Sequence, residues 1–175
     1  MKLKTSKWFR FNWNLKIFPL SIFKKMYDEM SSKDCTLYWR HTMKEIPAET
    51  PCILWLGTKG VTKESKKLQG IVGIGKVVDN KKYQFDSCSA PWYLKELKDI
   101  GPKRPLSDMV FAKIQLIATT EEAFVSSETI KYTFKKDVFW ISGYGKSSFI
   151  KEDKNLNDLI ELVMEEVKSR RSRAS

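Results

Sequence analysis

At 175 residues and 20.4 kDa, with 42% hydrophobic and 30% charged side chains, the chain has the size and composition of one folded domain, not of a disordered or bilayer-spanning segment. A formal charge of +11 and a pI near 9.5 put a polyanion first among partners, with nucleic acid ahead of a membrane surface. One histidine and three cysteines without paired spacing exclude a two-imidazole metal centre, a CxxC zinc site and a disulfide framework.

The first segment, KTSKWFRFNWNLKIF (4–18), interleaves Trp8, Phe9, Phe11 and Trp13 with basic and amide residues and fits a strand or extended arm. A helix is predicted over about 19–31, with Pro19 near its first turn and Ile22, Phe23, Met26 and Met30 at helical spacing. A short apolar piece, CTLYW, then leads into Arg40, His41 and Thr42. Residues 51–57 (PCILWLG) read as a buried strand and 68–79 (LQGIVGIGKVVD) as a second one. Together they predict an antiparallel hairpin with a lysine-rich connection at 58–67. After a turn at 80–82, residues 83–85 add a short strand. An insertion at 87–107 contains Pro91, Pro102, Pro105 and a short helix at 92–100. A long strand follows at 108–118, a strand or short helix at 127–134, and a strand at 138–145. The last helix, 155–168, has Leu156, Leu159, Ile160, Val163, Met164 and Val167 on one face. The reading is one domain at 1–168 and a disordered basic tail or linker at 169–175. Five or six strands with two or three helices, lacking βαβ alternation, make an α+β protein: a small mixed β-barrel with the helices packed outside.

Charges at Lys2, Lys4, Lys7, Arg10 and Lys16 leave no apolar signal-peptide core, and no apolar run approaches bilayer length. With unpaired Cys35, Cys52 and Cys88 read as small buried thiols in a reducing compartment, a cytoplasmic location is expected. The positive surplus is +5 over 1–50, +5 over 51–110 and +1 over 111–175, so the electrostatic footprint belongs to the first two thirds.

Gly70 to Lys76 matches the GxxxxGK core of a phosphate-binding loop. It lies within a β-branched run and is followed by Val77-Val78-Asp79, not by a helix whose N-terminus faces phosphate. It therefore reads as a strand whose glycines permit bends or close backbone approach. His41 has no definable orienting carboxylate or nucleophile, and Asp79 and Asp86 read as strand terminators. No catalytic residue, metal or cofactor is assigned, and the chain is expected to be a binding domain and not an enzyme.

The aromatics carry the functional signal. About half of the six tryptophans belong to the core of any fold. Two groups stand apart: Tyr38-Trp39-Arg40, which joins a stacking surface to a guanidinium, and Trp55, which precedes the basic turn Gly57-Thr58-Lys59-Gly60. A flat apolar pocket rimmed by cations suits a base taken out of its stack. Arg40, Lys59, Lys63, Lys66, Lys67, Lys81 and Lys82 are the candidate phosphate contacts.

The succession W-R, P-C-I-L-W-L-G-T, Q-G-I-V-G-I-G-K-V and D-M-V-F-A-K-I-Q-L-I, over about residues 36–145, resembles EVE domains of the PUA-like superfamily, which also contains the YTH readers of methylated adenine in RNA. Thr58 takes the place of the family's small polar residue, and 70–78 matches its glycine-bearing strand. Where the family has a V-D-V-like pattern, this chain has Phe111-Ala112-Lys113. The resemblance implies a PUA-like barrel whose aromatic cage accepts a flipped, modified base in DNA. Trp39 and Trp55 are its expected walls, Tyr38 and Thr58 belong to the cage, and Trp92 or Tyr144 closes it. It further implies the specificity module of a modification-dependent restriction system of the McrB type, with a motor or nuclease domain or subunit as partner. The alternatives are a YTH-like reader of methylated RNA and a protein-interaction module.

Overall fold

A computed structural model describes residues 7–29, 35–43, 45–57, 62–63, 66–97, 105–119, 122–135, 141, 147–150 and 154–174. Five strands carry the sheet: β1 (Phe9–Trp13), β2 (Thr36–His41), β3 (Pro51–Leu56), β4 (Gly70–Val77) and β5 (Val110–Thr119). Two short strands, β6 (Val125–Ser126) and β7 (Ser148–Phe149), complete it in the order β2-β5-β4-β3-β1-β7, with β6 on β4. The β1–β3 pair is parallel and the others are antiparallel. This is a curled, mixed sheet, consistent with the expected PUA-like barrel, and the protein is α+β.

Side-chain alternation decides what each face covers. Phe9, Phe11 and Trp13 of β1 lie in register with Cys52, Leu54 and Leu56 of β3. They join Leu37 and Trp39 of β2 and Ala112, Ile114 and Leu116 of β5 in one core. Two helices close that face: α1 (Leu20–Glu29) through Ile22, Phe23 and Met26, and α2 (Trp92–Leu97) through Tyr93 and Leu94. The opposite face carries Ile53, Trp55, Ile71, Ile74 and Ala118 in a second core. It is closed by Ile130 of α3 (Ser127–Phe134) and by Leu156, Leu159, Val163 and Val167 of α4 (Lys154–Ala174). The four helices α1 to α4 of the described residues thus split two and two across the sheet.

The glycines of β4 act as backbone spacers. Gly70 has φ +141°, and a Cβ there would run into the carbonyl of Val125. At Gly75 a Cβ would meet the Gln115 carbonyl of the neighbouring strand. A strand buried at every position but Lys76, with no helix directly after it, agrees with the reading of this segment as structure and not as a phosphate-binding loop.

Several expectations change. Residues 127–134, expected as a strand or short helix, are the helix, because the Ser126 side chain accepts the Thr129 N–H at 3.0 Å and caps the first turn. The strand expected at 83–85 shrinks to a single bridge, Tyr83 to Phe111. Of the strand expected at 138–145, only Ile141 lies within the described residues, and its backbone is helical. Met30 lies outside them. Residues 169–174 are not disordered: α4 continues to Ala174, where Arg170 donates to the Phe124 carbonyl and Arg171 reaches Glu122 and the Ile117 carbonyl. Cys35 and Cys52 are buried, and burial pushes the Cys35 thiol up to about 11, but Cys88 is exposed. No described helix is long and apolar enough to cross a membrane.

Candidate nucleic-acid interface

The expected cage residues do not form one pocket. Trp39 is 6% exposed and sits in the first core, its ring 5.6 Å from Trp13 and 5.3 Å from Phe18. Trp55 is 4% exposed and belongs to the core of the opposite face. Two indoles on opposite faces of one sheet cannot wall one slot, so the two-wall expectation is corrected. Trp92 is half-buried on the Trp39 side of the sheet, with the Lys25 ammonium 4.4 Å above its ring. Thr58, Lys59 and Tyr144 lie outside the described residues.

What remains divides between the two ends of the second face. At one end stands Trp55. Across the parallel pair its register partner is Asn12, on the same face of the sheet. Both the Nδ2 and the Oδ1 of Asn12 are buried with no hydrogen-bond partner among the described residues. A desolvated amide left this way costs about 1–3 kcal/mol. Its backbone N–H is satisfied by Ser147 Oγ at 3.1 Å. One step back on the same face, the buried Arg10 donates to the Ile141 carbonyl at 2.5 Å and to Ser148 Oγ at 2.7 Å. Burial lowers its pKa to about 10, which still leaves it charged. Arg10 and Asn12 therefore hold Ile141, Ser147 and Ser148 against β1, next to Trp55. Beyond Trp55, a Cβ at Gly57 would meet nothing within 4 Å among the described residues. The connection that leaves this end carries Lys63, Lys66 and Lys67, all exposed.

The other end gathers Tyr38, Arg40, Lys81 and Lys82. Register places Tyr38 opposite Lys113 and Arg40 opposite Phe111 on one face. Tyr83 bridges to Phe111, bringing the exposed Lys81 and Lys82 with it. Tyr38 meets Tyr83 and Phe85 edge-on at 4.9 and 4.8 Å. The Tyr83 hydroxyl donates to Asp79 at 2.6 Å, which raises its pKa to about 12 and keeps the phenol neutral. The Tyr38 N–H donates to the Tyr93 hydroxyl at 2.8 Å, tying this strand to α2.

Sequence reading missed Asn12, Arg10 and Lys113. A signal for the first two was present: FRFNW alternates apolar and polar residues, so Arg10 and Asn12 share a face distinct from the aromatic one. Buried polar residues on a core strand point to a partner more strongly than the aromatics around them.

No family model and no curated protein matches the chain. Among solved structures, a hypothetical protein from Leishmania major superposes with a TM-score of 0.53 at 11% identity, over 93% of this chain and 97% of that one. Human THYN1, solved in complex with 5-methylcytosine-containing DNA, superposes with a TM-score of 0.52 at 10% identity, over 90% of this chain and 98% of that one. Identities this low carry the architecture alone.

Proposed function

We propose that the chain is an EVE-type, non-enzymatic domain that binds DNA and reads a methylated base flipped out of the duplex, with Asn12 and Trp55 as the reading pair. The observation that carries this reading is the buried amide of Asn12, which offers a donor and an acceptor with no partner among the described residues, beside an indole on the same sheet face. A carboxamide is the side chain that pairs bidentately with a base edge, and an indole gives that base apolar contact. Unstacking a base costs a few kcal/mol, and satisfying the buried amide offsets part of that cost. The side at Gly57, open among the described residues, is the entry, and Lys63, Lys66 and Lys67 lie on the connection leading from it. The charge of +11 supplies the sequence-independent affinity. The shared architecture with human THYN1, a protein solved on 5-methylcytosine-containing DNA, supports the same reading. Within a modification-dependent restriction system such a domain directs a motor or nuclease partner to the marked site.

The test is Asn12→Leu, which keeps the volume and removes the unpaired amide. The expected outcome is a melting temperature equal to or above the wild type, together with loss of preference for methylated over plain duplex in competition. Duplexes carrying methylcytosine, methyladenine or hydroxymethylcytosine identify the mark. A wild-type protein that binds marked and plain duplexes equally, or one that prefers methylated single-stranded RNA, overturns the reading.

A further inference from the structure

The second-face end opposite Trp55 has a composition of its own. Tyr38, Tyr83 and Phe85 form a half-buried ledge over the buried Phe111, with Phe85 5.7 Å from it. Arg40 and Lys113 stand beside the ledge on the β2–β5 register, and Lys81 and Lys82 lie exposed just before Tyr83. None of these four cations forms an ion pair among the described residues. The nearby Asp79 is engaged twice, by the Tyr83 hydroxyl and by the Lys81 N–H at 3.0 Å. The apolar ledge is covered by neither α3 nor α4, whose buried residues pack on the Trp55 half of the face.

We infer that this ledge is a second DNA contact, one that grips the sugar-phosphate backbone of the duplex flanking the base that is read. The inference rests on the reading of the chain as a DNA-binding domain and adds to it where the flank is held. Four cations with no ion pair among the described residues, around one carboxylate, complement a row of phosphates, and the part-exposed ring edges suit the apolar face of the sugars. The separation is informative too. From the level of Trp55, opposite Ile71, six residue steps lead along β4 to Val77, and three more along β5 lead from Ile114 to Phe111. At about 3.3 Å per residue the ledge lies roughly 25–30 Å from the Asn12–Trp55 pair as measured along the curled sheet, a path close to one turn of duplex. It touches flanking backbone and never the base, so it adds affinity without adding preference.

The experiment is the salt dependence of binding by an Arg40→Ala/Lys82→Ala/Lys113→Ala variant, on plain and methylated duplexes of about 20 base pairs. The expected result is a loss of at least about tenfold on both duplexes alike at low salt. The slope of log affinity against log salt falls by about 2–3, since each phosphate contact contributes about 0.9. The methylated-to-plain ratio stays at its wild-type value. A duplex of about 8 base pairs centred on the mark, too short to reach the ledge, should show no loss. Lys82→Glu alone, at an exposed loop position, repeats the test should the triple variant misfold. An unchanged slope on the long duplex, or a loss confined to single-stranded RNA, overturns the inference. These outcomes are read on plain DNA as well, so they are separable from failure of the base reading, which shows only as a lost ratio.

Discussion

Asn12 and Trp55 are register partners on adjacent parallel strands, so a buried amide without a partner among the described residues and a buried indole share one face at the end of the sheet. Trp39, equally buried, lies on the other face among Trp13, Phe18 and the residues of α1. On the proposed reading the two indoles separate function from packing. Phenylalanine at either position removes part of a well-packed ring system and is expected to cost about 1–3 kcal/mol. Trp55→Phe should in addition reduce the preference for methylated DNA, while Trp39→Phe should leave the preference intact. Thermal melting together with competition between marked and plain duplexes separates the two. Equal effects of both variants on the preference contradict the assignment.

The sheet was legible because its strands are apolar and β-branched and their turns are marked by glycine, proline and lysine runs: 51–57 and 68–79 become β3 and β4 within a residue or two. The site was less legible because composition does not state which face of a strand a side chain occupies relative to a distant strand. Trp39 and Trp55 look equivalent in sequence, and only the strand order places them on opposite sides. Arg170 and Arg171 looked like tail residues because their partners, Phe124, Glu122 and Ile117, lie about fifty positions away. The two-residue strands β6 and β7 carry too few side chains for a periodicity to show.

Glycine substitutions should divide sharply. Gly75→Ala forces a methyl group against the Gln115 carbonyl, backbone against backbone, where no side chain is free to move. A loss of several kcal/mol, or failure to fold, is expected. Gly57→Ala has open space among the described residues and should change the melting temperature little. A bulkier Gly57→Val should weaken binding of the methylated duplex more than of the plain one, because it narrows the entry beside Trp55. Melting curves and competition binding on the three variants check the set.

The helical end of α4 is held, and its removal should be measurable. Arg170 donates to the Phe124 carbonyl at 2.9 Å in a part-buried setting, and Arg171 makes two hydrogen bonds to Glu122 and one to the Ile117 carbonyl. The Arg171–Glu122 pair is largely exposed, so solvent reduces its worth to at most about 1 kcal/mol. Ending the chain after Lys168 keeps Val167 in the core and removes these contacts, for a loss of about 1–2 kcal/mol by denaturant unfolding. A truncated chain of unchanged stability contradicts the role given to these arginines.

Acid should act on the fold first through His41, the single histidine of the chain. It is buried at the end of β2, and its pKa is lowered by burial and then by the positive charge of Lys82, against a smaller opposing effect of a hydrogen bond with the Met43 backbone. The unfolded imidazole titrates near 6.5, so below that pH the unfolded chain binds a proton that the folded chain still refuses. The stability associated with neutral His41 is whole above about pH 6.5 and is lost as the pH falls toward the folded pKa. Most carboxylates remain ionised down to about pH 5, which leaves this window to the imidazole. Stability measured by urea unfolding between pH 7.5 and 5 should therefore fall on acidification. His41→Gln should flatten that slope, and Lys82→Ala should shift its onset of full loss to higher pH by letting the folded imidazole take its proton more readily. Direct titration of the imidazole by NMR gives the same order: the wild-type value below 6.5, the Lys82→Ala value between the two. A wild-type imidazole titrating at or above 6.5, or a His41→Gln slope equal to that of the wild type, contradicts the assignment.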